Sequence, residues 1–333
     1  MKKLSFLISR ALKMDRQKLK NTLEYLQKKS GRSKIWLIQD MLKCSVLYGA
    51  GYTDYKIAEM YRLNSAQRKS TITRGISNDI VRRMNDKAHT HFFDDKSEFD
   101  SKFSRWVDRP WLRFDQNTTK EELQSFLSKC SSIFVKPLEG SSGVGVHKLK
   151  NISDTESVYK HLKALGDSIL EQTVVQHEAL NRLYPGSVNT VRVATLLGDK
   201  QKGMVYAFLR IGNGGEVDNV DCGGMACRVD IDSGCITTPA ADKQGRVFDE
   251  HPITGTYFEG FEIPYFKEIK QMCLEAMEIV PEVRYVAWDV CITPDGPRFI
   301  EGNSFPSHAV PQFAAHYKDG IGILTEFRKF IDC

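Results

Sequence analysis

Trp288-Asp289-Val290-Cys291-Ile292-Thr293-Pro294-Asp295-Gly296-Pro297-Arg298-Phe299-Ile300-Glu301-Gly302-Asn303 is the stretch that decides the fold. Two apolar-rich runs, Arg284 to Ile292 and Pro297 to Glu301, flank the turn signal Thr293-Pro294-Asp295-Gly296 and predict a β-hairpin. Asp289 and Glu301 are equidistant in sequence from Asp295. A regular hairpin sets them opposite one another, with Cβ atoms about 4.5–5.5 Å apart. Asn303 lies two residues on and shares their face. Opposed carboxylates repel unless a cation sits between them. Two carboxylates and an amide oxygen are the hard donors that Mg²⁺ accepts while sharing substrate phosphates. Trp288, Val290, Ile292 and Ile300 make the neighbouring positions apolar, which sets the acidic pair in a folded core. A solvated acidic hairpin face is the competing reading, because this register is inferred from the turn alone.

Upstream, Val135-Lys136-Pro137-Leu138-Glu139-Gly140-Ser141-Ser142-Gly143-Val144-Gly145-Val146 carries three glycines and two serines in one loop. Such a loop exposes backbone N–H groups that can cradle phosphates. Lys136 enters it on a strand, Ile133-Phe134-Val135, and adds a point charge. The loop is not a Walker A motif, since no Gly-Lys-Ser/Thr follows. An ordinary glycine-rich hairpin with a solvated lysine fits the same residues.

Further out, the texture divides. Up to about residue 125 the apolar residues recur at helical spacing: Leu4, Leu7, Ala11, Leu19, Leu23 and Leu26, then a second stripe from Trp36 to Leu42. Gly31 and Gly49-Ala50-Gly51 interrupt them. Tyr52 to Tyr61 and Asn78 to Met84 predict two further short helices. Thr119 with Glu122 forms a capping box, predicting a helix over 120–129. From Ser132 onward strands dominate: Gly143 to Leu149, Ile169-Leu170, Val174-Val175, Val188 to Leu197 and Met204 to Ile211. Helices are predicted at Ser157 to Leu165 and Phe266 to Val280. Helices with mostly antiparallel strands argue α+β.

The composition bounds the rest. The chain has 333 residues, 41% hydrophobic, enough for ordinary cores, so disorder along the whole chain is excluded. No apolar run approaches the ~20 residues of a membrane span. Net charge is +5, unevenly spread: residues 1–50 hold 12 Lys/Arg against 3 Asp/Glu (+9), and residues 151–333 hold 17 against 26 (−9). The eight cysteines form no C-x-x-C pair and are expected as thiols. The basic front shows no aromatic stacking platform, so nucleic acid is not an expected partner.

Together these residues resemble the ATP-grasp superfamily, and more narrowly the sugar-transfer-associated ATP-grasp family. The segments that carry the resemblance are Asn85-Asp86-Lys87, Lys136 to Ser141, Asn189-Thr190-Val191-Arg192, Gly223-Gly224 with Val229-Asp230, and Trp288-Asp289 with Ile300-Glu301-Gly302-Asn303. The resemblance implies two α+β subdomains clasping ATP over residues 119–333, with a small lobe at about 125–175 and a large lobe at 176–333. Residues 1–118 precede them as a mainly helical region. It implies ATP and Mg²⁺ as cofactors. Lys87, Lys136 and Glu139 would contact ATP, and the loop with Gly140, Ser141, Ser142, Gly143 and Gly145 would close over the phosphates. Glu171, Gln172 and Val174 would read adenine, with the Glu171 carboxylate accepting from the adenine amino group, and Glu178 would reach the ribose. Arg192 would sit at the transferred phosphoryl, and Asp289, Glu301 and Asn303 would hold the metal. His308 is a candidate base, with an inert loop histidine as the competing reading.

The implied reaction activates a carboxylate as an acyl phosphate and joins it to an amine or hydroxyl, in cell-surface glycan or related biosynthesis. A kinase of a sugar or small molecule on the same site is the alternative. Expected partners are small-molecule or glycan carboxylates and amines. The expected location is cytoplasmic, with residues 1–30 either touching an anionic inner membrane face or, the favoured reading, packed on the acidic back lobe. One departure stands out: related ligases often carry an arginine two residues before the metal aspartate, where this chain has Ala287. Arg284 and Arg192 are the candidates to replace it.

Overall fold

A computed structural model describes residues 15–140 and 145–333. Two antiparallel sheets organise it. The smaller contains β1 (Trp111–Phe114), β2 (Ile133–Pro137), β3 (His147–Leu149) and β4 (Ser168–Gln172), in the order β1-β4-β2-β3. The larger contains β5 (Thr190–Leu197), β6 (Lys202–Ile211), β7 (Met225–Val229), β8 (Ala240–Ala241), β9 (Val247–Phe248), β10 (Tyr285–Thr293) and β11 (Gly296–Asn303). Its order is β11-β10-β5-β6-β7-β8-β9.

β5, β6 and β10 are apolar almost throughout because the large sheet is covered on both faces. On one face Trp288, Val290, Val193 and Phe299 pack against the helix Phe266–Ala276 and against Phe93, Phe99 and Phe103. On the other, Tyr206, Phe208 and Tyr285 pack against Ile80 and Met84 of the helix Arg74–Met84 and against the C-terminal Leu324 and Phe327. The small sheet has its own core, in which Ile133, Val135 and Leu170 meet Leu123 and Phe126 of the helix Lys120–Leu127. Thr119 and Glu122 form the expected capping box at its start.

Two elements differ from the sequence reading. β1, which pairs with β4, lies before residue 119 in a stretch read as helical. Four residues are too short to show a period. Val174-Val175, read as a strand piece, lies outside both sheets with Val175 exposed, because β4 ends at Gln172.

At the front, the helices Arg16–Ser30 and Lys34–Tyr48 end on Gly31 and Gly49 in the left-handed region, where a residue without Cβ is favoured. Leu23 and Leu26 pack with Leu37 and Cys44 in a small helical core. The front then rests on the large lobe: Lys56 donates to the Lys243 carbonyl, Gln67 to the Asp319 carbonyl, and His308 meets Asp54. Among the described residues no helix is long and apolar enough to cross a membrane.

Candidate active site

Asp289 and Glu301 are cross-strand partners in the hairpin of β10 and β11. The route to that pairing is not the regular hairpin expected. Near the turn, Thr293 pairs with Gly296 and Val290 with Phe299; a bulge between Asp289 and Val290 then shifts the register by one residue. Asp289 thereby meets Glu301, and Ala287 meets Asn303. On its other side β10 pairs with β5, which sets Arg192 directly opposite Asp289. The Arg192 guanidinium grips both oxygens of Asp289, Nε to Oδ1 at 2.6 Å and Nη2 to Oδ2 at 2.5 Å. A second arginine, Arg210 on β6, donates to Asp289 Oδ2 at 2.7 Å and to Asp218 at 2.9 Å. Asp218 in turn accepts from the Thr190 backbone.

The charges set the ionisation. Burial opposes ionisation of Asp289, but Arg192 and Arg210 outweigh it and hold the carboxyl down at about 2. Glu301 is pushed the other way, by its low-dielectric surroundings and by the Asp289 charge. Its side chain keeps 37% exposure, so the cleft reaches it. Asn303 donates to Glu301 Oε1 at 3.3 Å. Arg284 lies elsewhere, on the Leu197 carbonyl and Asp199, so Arg192 and Arg210 supply the positive charge beside Asp289.

A second charged group lies on the small sheet. Lys136 donates to both oxygens of Glu171 at 2.8 Å. Arg109 lies on the same carboxylate, with Nη2 2.6 Å from Oε2. It also donates to the Phe299 carbonyl of β11 and approaches Asp100 at 3.5 Å. Arg109 therefore ties the small sheet to the acidic hairpin. Lys96 donates to the Gly140 carbonyl at 3.1 Å, at the start of the glycine loop. Burial lowers its pKa, while Glu301 opposes that and Lys136 adds to it. Lys96 thus shares one electrostatic neighbourhood with the acidic hairpin and Lys136.

A family model described as sugar-transfer associated ATP-grasp matches residues 76–321. The chain belongs to this family. ATP-grasp membership brings ATP and Mg²⁺ as the cofactors. Among solved structures the chain is similar to the ATP-grasp ligase PsnB complexed with minimal precursor, Mg and ADP, at 16% identity over 67% of this chain and 54% of that one, with a TM-score of 0.39. It is also similar to D-alanyl-alanine synthetase A from Vibrio cholerae, at 14% identity over 72% and 63% with a TM-score of 0.43. The D-Ala:D-Ser ligase VanG from Enterococcus faecalis matches at 11% identity over 80% and 63%, with a TM-score of 0.39. The chain spans less than two thirds of the length of each of these three. No curated protein matches it at a significant level.

Lys87 is exposed on the turn after the helix Arg74–Met84, and Lys96 is the lysine at the loop. The signal was available, because Asp95-Lys96 repeats the pair Asp86-Lys87 nine residues on. Glu171, expected at the adenine amino group, has its carboxylate committed to Lys136 and Arg109, since a buried carboxylate requires cations. His308, expected as a base, is held by Asp54 at 2.7 Å. Gln172 donates its backbone N–H to the Pro110 carbonyl. Glu178 is exposed at the start of the helix Glu178–Leu183. Ser141, Ser142 and Gly143 lie outside the described residues, while Glu139, Gly140 and Gly145 are exposed. A cleft of about 140 Å³, lined by Phe134, Lys148, Thr173, Val174 and Ser187 among others, opens beside the β4 exit. Arg109 and Arg210 were missed altogether. Their only signal was a charge within or beside an apolar strand, which demands a buried partner without naming it.

Proposed function

We propose that this chain is an ATP-dependent ligase that activates a carboxylate and joins it to an amine or hydroxyl. The observation that carries the reading is the cross-strand pair Asp289 and Glu301, backed by Arg192 and Arg210 and facing the lysine side of the small sheet.

The residues fit the metal. Asp289 and Glu301 face each other across the hairpin, and burial together with the Asp289 charge raises the Glu301 pKa, as expected of two carboxylates sharing one site. Among the described residues no third His, Cys, Asp or Glu joins them. A set of two carboxylates and the Asn303 amide oxygen suits Mg²⁺, which takes its remaining oxygens from phosphates and water. When bound, Mg²⁺ supplies charge stabilisation to the phosphates.

The chain's own side chains do the rest. Lys136 and Lys96 offer two cations to the phosphates. The cleft at Phe134, Thr173 and Val174 receives the base, and Glu178 reaches the ribose. Arg192, fixed by both oxygens of Asp289, presents a cation where the phosphoryl group moves. A substrate carboxylate oxygen attacks the γ-phosphorus, the bond to the β-phosphate oxygen breaks, and ADP leaves. The acceptor nitrogen or oxygen then attacks the acyl carbon. Inorganic phosphate departs, and the acceptor's proton passes to solvent. The family's association with sugar transfer supports a glycan or sugar acid as one substrate.

The test is ADP release from ATP and Mg²⁺ with panels of sugar acids and amino acids, with hydroxylamine present to trap acyl phosphate. Glu301→Gln is expected to lower turnover at least about 100-fold, which is about 2.7 kcal/mol of transition-state stabilisation, with Tm kept. Wild-type turnover in that variant removes the metal assignment. A phosphorylated product with no hydroxamate makes the protein a kinase.

A further inference from the structure

The described part of the basic front does not present the apolar face that the sequence places on residues 1–30. Leu23 and Leu26 of the first helix are buried against the second. The exposed apolar surface lies on the second helix, Lys34–Tyr48. Ile35 is 71% exposed, Ile38 42%, Leu42 62% and Val46 64%. Their spacing of three, four and four residues draws one stripe along the helix. Other exposed large apolar residues, such as Val175, Ile253 and Phe305, are spread over separate loops; single exposures of that kind are ordinary. A row of four on one helix face is not.

Charge decides what covers the row. Lys34 and Lys43 lie on either side of it, both exposed. Lys34 has a carboxylate, Glu24, only at 3.9 Å across exposed surface. Asp40, the acidic residue of this helix, points into the protein, where it binds Arg68 and Tyr55. The face is therefore apolar along its centre and cationic at its rims. A second copy would bring the same cations against it. The first 14 residues of the chain would do likewise, with four Lys/Arg and no Asp/Glu. Both are like-charged occupants. An anionic lipid surface matches both parts: the stripe enters the acyl boundary while the lysine ammoniums stay among the headgroups.

We infer that the helix Lys34–Tyr48 is a docking face for an anionic membrane surface, lying in the plane of the interface with Ile35, Ile38, Leu42 and Val46 inserted. This holds whatever reaction the ATP site performs. It places the ATP-using lobes beside a membrane, with the helical region as the foot.

The experiment is co-sedimentation of the full chain with vesicles of phosphatidylcholine alone and of phosphatidylcholine with phosphatidylglycerol, at low and high salt. Binding is expected only with phosphatidylglycerol, weakening as salt rises. The double substitution Leu42→Glu/Val46→Glu is expected to lower the bound fraction more than about tenfold, with Tm and ATP turnover unchanged. Lys34→Glu/Lys43→Glu is expected to act in the same direction by removing the headgroup attraction. No binding to anionic vesicles overturns the inference, as does full binding by Leu42→Glu/Val46→Glu. A fall of several degrees in Tm of that variant also overturns it, since the stripe is then covered by the protein itself. So does a wild-type dimer that the variant dissociates, which makes the occupant a second copy. Failure of any of these leaves the ligase assay untouched, so the two readings fail separately.

Discussion

Arg109 serves two carboxylates at once. Its guanidinium lies 2.6 Å from Glu171 and 3.5 Å from Asp100, so Glu171 takes most of its charge. Asp100 is 1% exposed, and its Oδ2 has no hydrogen-bond partner. Burial, helped by the Glu171 charge and opposed by Arg109 and Lys136, pushes the Asp100 carboxyl up to about 7. An unfolded aspartate titrates near ~3.9. Between those values the folded protein holds a proton that the unfolded chain does not. Stability from this group is thus greatest below about pH 4 and is lost as pH rises towards 7. Asp100→Asn, which copies the neutral form, is expected to raise Tm by about 3 °C at pH 8 and to leave it unchanged at pH 4. Thermal melts of both proteins across that range check it; equal pH profiles mean that Asp100 is ionised when folded. None of this was legible in the sequence. Asp100 and Arg109 fall in a stretch with no motif, and their partners are brought in from Glu171 and Phe299, far along the chain. Asp289, Glu301 and Lys136 were legible because each sits in a local pattern.

At the level of elements, the hairpin shows where a sequence reading succeeds and where it needs a correction. Both strands and their turn follow from alternation and turn chemistry. The pairing of Asp289 with Glu301 does too, but only because a bulge offsets the one-residue shift at the turn. A bulge has no reliable sequence signature, whereas its consequence here is large: without it Asp289 would pair with Ile300, and Glu301 would lie on the other face. Gly302 helps to hold the shifted strand down. A Cβ there would lie 2.7 Å from Phe99 and 2.8 Å from Phe93, both buried in the cluster under the hairpin. Gly302→Ala is therefore expected to cost about 1–3 kcal/mol, the usual range for overpacking a core. It is also expected to lower ATP turnover, because Glu301 and Asn303 flank the displaced residue. Denaturant unfolding alongside turnover checks both, and a neutral variant means that the aromatic cluster yields. The short β1 illustrates the opposite limit: four residues show no period, and only pairing with β4 defines the strand.

Across the whole molecule, the contrast of a basic front and an acidic back becomes a contact between two packed parts. The front rests on the large lobe through Lys56, Gln67 and Asp54. Asp54 is 5% exposed and satisfies three groups: the Gly51 and Arg74 backbone N–H groups and the His308 ring. His308 follows the hairpin of β10 and β11 by five residues, and that proximity in sequence made it a candidate base. In space its Nε2 is held by a residue of the helical region, so its geometry is that of a tether between front and back. The two roles give opposite signatures. A tether predicts that His308→Ala lowers Tm by roughly 2–4 °C, about the effect of losing 1 kcal/mol from a large domain, with kcat within about threefold of wild type and an unchanged pH profile. A base predicts an intact Tm with kcat lowered by about 10²–10⁴ and the loss of one limb of the pH profile. Asp54→Ala separates the two further. It leaves the Gly51 and Arg74 N–H groups unpaired as well as His308, so its loss of stability is expected to exceed that of His308→Ala. In a catalytic dyad the two variants would instead lower kcat alike.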